Sequence, residues 1–447
     1  MRLRALAATL SFSVVLLSAP LAHASETAAE HAANVYAAQE LASHPIGGNL
    51  PDYSLSPADL SRAQHLHTTE ITLVAVDTAW SILQLVLLLW LGVVGWMRDV
   101  AVRTSPFRWV QGAAFFAIFT VVGLALDLPI SLYGHNLALR YGLSVQSWGS
   151  WAADQAKSVG LEWIIGTLLI MLLFWVTRKF PRRWWIAFWV VSIPITIFSI
   201  FVSPYIGFLY NKYEPLTKNH AQLAQQIKQV VDKGHMDIPL ERMYVMQASA
   251  KVTTMNADVE GFGSTKRVVV WDTTINKMKP EEVIAVFGHE SGHYVLNHIR
   301  TGIFRSFAIV FFSLWLMFLM TRWMLARFGA TWKIPDQSDW GAVAVLMLSA
   351  SILNFVLTPL GNTLSRNMEH AADVYGMEAI HGLVPDPQQA MQGAMIDLGK
   401  ASFDVPNTAH WEEVLLGSHP ALGRRAAFAH AYNPWAPGYA PKYFPKQ

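Results

Sequence analysis

The sequence predicts a mainly α, multi-pass transmembrane helical bundle interrupted by a small soluble α/β insert. Of its 447 residues, 53% are hydrophobic and only 14% charged, a balance that favours lipid over water as the surrounding medium. Apolar runs recur at close to the ~20 residues a helix needs to cross ~30 Å of hydrocarbon. Between them lies one long stretch of mixed polarity, where short helical and alternating patterns replace the continuous apolar ones.

The chain opens with basic Met1-Arg2-Leu3-Arg4, an apolar run over 5–21 and a small-x-small Ala22-His23-Ala24. Residues 1–24 therefore read as a secretory signal, with an uncleaved first membrane anchor as the alternative, so the span count is six or seven. Residues 25–67 are polar, alanine-rich and broken by Pro45, Pro51 and Pro57, and are predicted to cap or link with no core of their own. Residues 68–203 hold four transmembrane helices, on apolar runs at 80–97, 109–132, 161–177 and 184–202, with tryptophans at several ends. Residues 204–300 are the soluble insert, with an amphipathic helix over 221–231 and short strands at Met243–Met246 and Arg267–Trp271. Residues 301–360 add two spans, at 303–320 and 340–360. Residues 361–447 form a second polar region that ends in a tail rich in proline and aromatics.

Charge and composition exclude several classes. A formal net charge of +2 with dispersed Lys and Arg makes no nucleic-acid surface. The chain has no cysteine, so a transition metal must be held by His, Asp or Glu. No internal repeat supports a transporter of duplicated halves, and few ionisable residues fall within the spans; Asp127, beside Pro129, is placed near a helix end in an interfacial role. Nothing in the sequence speaks to oligomeric state.

Arg98, Arg103 and Arg108, then Arg178, Lys179, Arg182 and Arg183, then Arg322, Arg327 and Lys333 mark three short loops that an even alternation of spans places on one face. Basic residues stay cytoplasmic, so the insert and the C-terminal region are predicted on the opposite side, facing the periplasm from a bacterial inner membrane.

The chemistry is concentrated in His289-Glu290-Ser291-Gly292-His293. Glu281 and Glu282 suit the start of a helix there, and on a helix positions i and i+4 share a face. His289 and His293 can then offer imidazole nitrogens to one Zn²⁺ while Glu290 stands beside the open position. The plainer alternative is a surface helix with two solvated histidines. A catalytic zinc needs a third protein ligand, and Leu296 and Ile299 occupy the positions where one subtype carries a Gly and a His. His298 falls at the wrong offset, so the third ligand must come from farther along the chain.

Ser365-Arg366-Asn367-Met368-Glu369-His370-Ala371-Ala372-Asp373 follows soon after the last apolar run. Here the sequence resembles the type I CAAX prenyl protease family, membrane zinc peptidases with HExxH followed by SRxxExxAD. Asn256-Ala257 with Gly261-Phe262, the run from Lys266 to Thr273, residues 211–216, and Ser418-His419-Pro420 with Arg425 are similar to further family segments, and the likeness extends from about Leu55 to Phe428. One departure is Met255, where the family carries a serine before the Asn-Ala pair.

The resemblance implies Glu369 as the third zinc ligand, and the chemistry agrees, because a carboxylate completes a His₂Glu site with one Zn²⁺ per chain. It implies Asp373 as a carboxylate orienting a ligand imidazole, with a plain helix-surface aspartate as the alternative. His370, Glu378 and His381 are rival ligands. His419 is implied to donate to the developing oxyanion, Asn256 to hold the substrate backbone, and Arg425 is left unassigned. The implied activity is a zinc metalloendopeptidase acting on protein or peptide substrates within a lipid bilayer, with a hollow ring of helices. Substrate is expected as an added strand along Arg267–Trp271. Family members with prenylated substrates work on the cytosolic face, whereas the loop charges here put the site outside. The rival readings are a zinc-bound membrane scaffold or chaperone that does not cleave, and a transporter.

Overall fold

In a computed structural model, which describes residues 26–445, six helices are long and apolar enough to span a membrane. The signal-like run over 5–21 lies outside the described residues. A first helix, α1 (Ala28–Ser43), is followed by the spans α2 (Pro57–Trp90), α4 (Arg108–Arg140), α5 (Trp148–Lys179) and α6 (Trp184–Ile206), with a shorter α3 (Val93–Thr104) after α2. The insert then runs β1 (Tyr213–Pro215), α7 (Ala221–Lys233), β2 (Met243–Met246), β3 (Ala257–Glu260), β4 (Arg267–Trp271) and α8 (Pro280–Val295). Two more spans, α9 (His298–Trp332) and α10 (Ala342–Ile380), precede α11 (Pro387–Ser402) and α12 (Leu422–Ala431).

The first span differs from the apolar run at 80–97. It begins at Pro57, where the Ser56 hydroxyl accepts from the Asp59 amide at 3.1 Å and proline suits the first helical position. It ends at Trp90, with Leu91 as its cap, because Gly92 takes a left-handed backbone (φ 72°), which splits the run into α2 and α3. The last span differs in the other direction. Instead of stopping near 360, α10 passes through Pro359 and continues unbroken to Ile380, carrying Glu369 and Asp373 out of the span on one rigid element.

Two further expectations change. Asp127 is buried well inside α4, not near a helix end. The polar 25–67 stretch supplies α1, whose Ala29, Ala33 and Ala37 are buried in the core shared by the insert and the C-terminal region. That core gathers Ile227 and Val230 of α7, Val283 and Phe287 of α8, Met377 and Ile380 of α10, and Phe428 of α12. Burying a side chain such as Phe287 contributes roughly 1.5–3 kcal/mol, so this cluster is what fixes α8 against α10. A separate cluster, with Phe115, Phe174, Trp340 and Val345, packs the membrane bundle.

The sheet has the order β1-β2-β4-β3, with β2 and β4 parallel and the other pairs antiparallel. Arg267–Trp271 is therefore not an edge, as an added substrate strand would require. Its Val268, Val269 and Val270 form the continuous apolar run of a strand paired on both sides, and β3 is the edge on that side of the sheet.

Candidate metal centre and active site

The α8 helix starts where Glu282 reaches back to accept from the Lys279 amide at 2.9 Å, with Pro280 as its first residue. Its apolar residues face the core, and its other face lies against α10. Glycines let the two backbones approach: a Cβ at Gly376 would lie 2.7 Å from the His289 amide nitrogen, and one at Gly292 would lie 3.0 Å from the Ala372 Cα. A larger residue at either position would push the helices apart and separate the groups they present.

That approach brings His289, His293 and Glu369 together, with one ligand atom from each lying within 4.8 Å of the other two. His289 Nε2 is 3.2 Å from His293 Nε2 and 3.2 Å from Glu369 Oε2, and His293 Nε2 is 3.5 Å from Glu369 Oε1. Ligands at ~2.0–2.1 Å around a tetrahedral ion stand about 3.3 Å apart, so the spacing fits such an ion. Glu369 Oε2 is buried and accepts no hydrogen bond; with the His289 proton on Nδ1, Oε2 and His289 Nε2 face each other at 3.2 Å as two acceptors, a costly arrangement that a cation between them relieves. Burial and Arg425 oppose a proton on His289, yet Asp373 and Glu369 draw its pKa up to about 9.

Asp373 accepts from both ends of the Arg425 guanidinium, at 2.9 Å from Nε and 2.6 Å from Nη2, and lies 2.8 Å from His289 Nδ1. The network assigns the His289 proton to Nδ1, donated to Asp373, which leaves Nε2 free as a ligand atom. Asp373 is therefore not a helix-surface aspartate; it is buried. Arg425, left unassigned by sequence, closes this chain, and although burial disfavours its charge, Asp373 holds its pKa above the ordinary value.

Glu290 points beside the cluster, its Oε1 3.9 Å from His289 Nε2. Burial raises its pKa above the usual carboxylate range, against the pull of the two histidines, which makes it a better proton acceptor. His419 approaches from the segment before α12, its Nε2 3.3 Å from Glu369 Oε1 and its Nδ1 3.0 Å from Ser418 Oγ. Asn256 sits at the head of β3, which packs beside α8; its amide donates to Thr274 Oγ1 at 2.8 Å and its side chain to Asp258.

The rival ligands are engaged elsewhere. His370 contacts Glu30 at 3.2 Å, Glu378 accepts from the Tyr432 hydroxyl at 2.6 Å and from the Lys442 and Tyr443 amides, and His381 stacks on Trp435. His298, outside the motif position of a ligand, lies against His293.

The bundle and this cluster define a membrane metalloprotease. The family model for peptidase family M48 matches residues 217–433, and that for the CAAX prenyl protease N-terminal region, described by five membrane helices, matches residues 47–212. The chain belongs to this family of CAAX prenyl protease-like membrane metallopeptidases. It is 29% identical over 325 residues to the uncharacterized metalloprotease YhfN of Bacillus subtilis, an overlap of 72% of this chain and 74% of that one. It is 27% identical to CAAX prenyl protease 1 of Saccharomyces cerevisiae, over 70% of this chain and 71% of the relative. The crystal structure of S. mikatae Ste24p shares the fold at a TM-score of 0.74, with 21% identity, covering 89% of this chain and 95% of that one.

Proposed function

We propose that the protein is a zinc-dependent endopeptidase in which His289, His293 and Glu369 hold one Zn²⁺ and Glu290 is the general base. The observation that carries the zinc assignment is the convergence of these three side chains around a buried carboxylate oxygen that has no hydrogen-bond partner. With two imidazoles and one carboxylate, the donor set matches a catalytic zinc site with a fourth position open. Zinc bound there supplies Lewis acidity, polarising the scissile carbonyl and making water acidic near neutral pH.

The chain's own groups do the rest. Glu290 accepts the proton of the attacking water and passes it to the departing amine. His419, with Nδ1 paired to Ser418, turns Nε2 towards the site and donates to the developing oxyanion. Asp373, anchored by Arg425, holds the His289 ring. Because β4 is paired on both sides, we place the substrate backbone along β3 beside Asn256, where main-chain recognition implies loose sequence preference.

Unfolded casein tests this reading. The purified protein is expected to cleave it, to stop when a chelator removes the metal, and to recover with Zn²⁺ added back. In the same assay Asn256→Ala is expected to raise KM with the metal retained. Absence of cleavage by the zinc-loaded protein would favour the non-cleaving scaffold, and an unchanged KM would remove Asn256 from substrate binding.

We also read the basic loops as cytoplasmic and the metal centre as periplasmic, in a bacterial inner membrane. Because the natural chain has no cysteine, single substitutions report topology cleanly. In intact spheroplasts a membrane-impermeant maleimide is expected to label Lys218→Cys, in the exposed part of the insert, and to spare Arg182→Cys. The reverse pattern would invert the topology.

A further inference from the structure

We propose that His298 is a positioning residue that fixes the tautomer and ring plane of His293, and through them the affinity of the site for its metal. The proposal rests on the reading that His293 Nε2 is a ligand atom. A neutral imidazole carries one N–H, so an Nε2 that faces a metal leaves the proton on Nδ1, where it needs an acceptor. His293 Nδ1 lies 3.1 Å from His298 Nδ1, and the two rings meet edge to face at 69°. The hydrogen bond can form in one sense: His293 donates, and His298 accepts on Nδ1 with its own proton on Nε2.

The turn between α8 and α9 makes the contact possible. Residues five apart on a continuous helix stand about 140° apart around the axis, so His298 would face away from His293. Instead α8 ends at Val295, and Asn297 takes a left-handed backbone (φ 57°) that starts α9 at His298. Asparagine tolerates that conformation better than most residues. The junction thus folds His298 back onto the ring it could not otherwise reach.

The two ligand imidazoles are then held differently, His289 by a carboxylate tied to an arginine and His293 by a neutral ring. Loss of such an outer partner typically weakens metal binding by about 10- to 100-fold.

Zinc dissociation constants of the full-length protein in detergent, measured by competition with a chromophoric chelator at fixed pH, test the proposal. His298→Phe keeps a ring but no acceptor, and is expected to bind zinc about 10- to 100-fold more weakly. His298→Asn places an oxygen near the Nδ1 position and is expected to restore most of the affinity. His298→Gln sets its oxygen one bond farther out and is expected not to, which decides the matter even if His298→Phe fails to fold. Natural affinity in His298→Phe or His298→Gln, or no rescue by Asn, would overturn the role of His298. His293→Ala, run alongside, separates this from the reading beneath it: undiminished zinc affinity in that variant would instead overturn His293 as a ligand.

Discussion

Glu290→Gln is expected to lower casein hydrolysis by about 10²–10⁴-fold while the protein keeps its full metal content, the range a positioned general base contributes. The substitution preserves shape and hydrogen-bonding reach but removes the site that accepts the proton. Glu290 is not one of the three converging groups, and its 3.9 Å separation from His289 Nε2 leaves the other contacts of that ring intact. Metal analysis and initial rates on the same preparation are the measurement. Unchanged hydrolysis would remove Glu290 from proton transfer, whereas loss of metal together with activity would make it a ligand.

Glu369→Ala is expected to do the opposite, losing the metal and activity with it. A ligand should matter more than an outer partner, so zinc affinity is expected to fall by more than about 100-fold. The helix should survive, because alanine suits a helix interior and α10 is anchored on the far side of the site by buried Val374, Met377 and Ile380. The variant also loses the partner of His419 Nε2, which helps separate the two substitutions: Glu290→Gln leaves that contact in place. Metal content after gel filtration, with far-UV circular dichroism as the folding control, reads the result. A variant that still holds one zinc per chain would place the third ligand elsewhere.

The α8 helix and both short β-rich runs are legible in the sequence because each is governed by local pattern. The Glu282 cap, the four-residue histidine spacing and the valine run at 268–270 specify their elements without reference to distant chain. Glu369 and Asp373 were found through a family pattern. What local reasoning lacks is the close approach of α8 and α10, which depends on glycines that read in sequence as ordinary helix residues.

The remaining differences share that origin. Hydropathy located the first span at 80–97 because it weighs apolar side chains, whereas the helix is delimited by the Ser56 cap and the left-handed Gly92. The substrate edge was assigned to β4 because strand order in a sheet is set by long-range pairing. His298 stands outside the motif position of a ligand and is not one; its contact with His293 depends on the left-handed Asn297, which residue spacing does not signal. Arg425 was seen but had no role until Asp373 stood beside it.

Two imidazoles from α8 and one carboxylate from α10 are proposed to surround a single zinc. X-ray absorption at the zinc edge on the purified protein tests this arrangement most directly. One zinc per chain is expected, with a shell of two imidazole nitrogens and two oxygens at about 2.0–2.2 Å. An all-oxygen shell, a shell with one imidazole, or zinc that stays bound in the Glu369→Ala variant with its spectrum unchanged would contradict it.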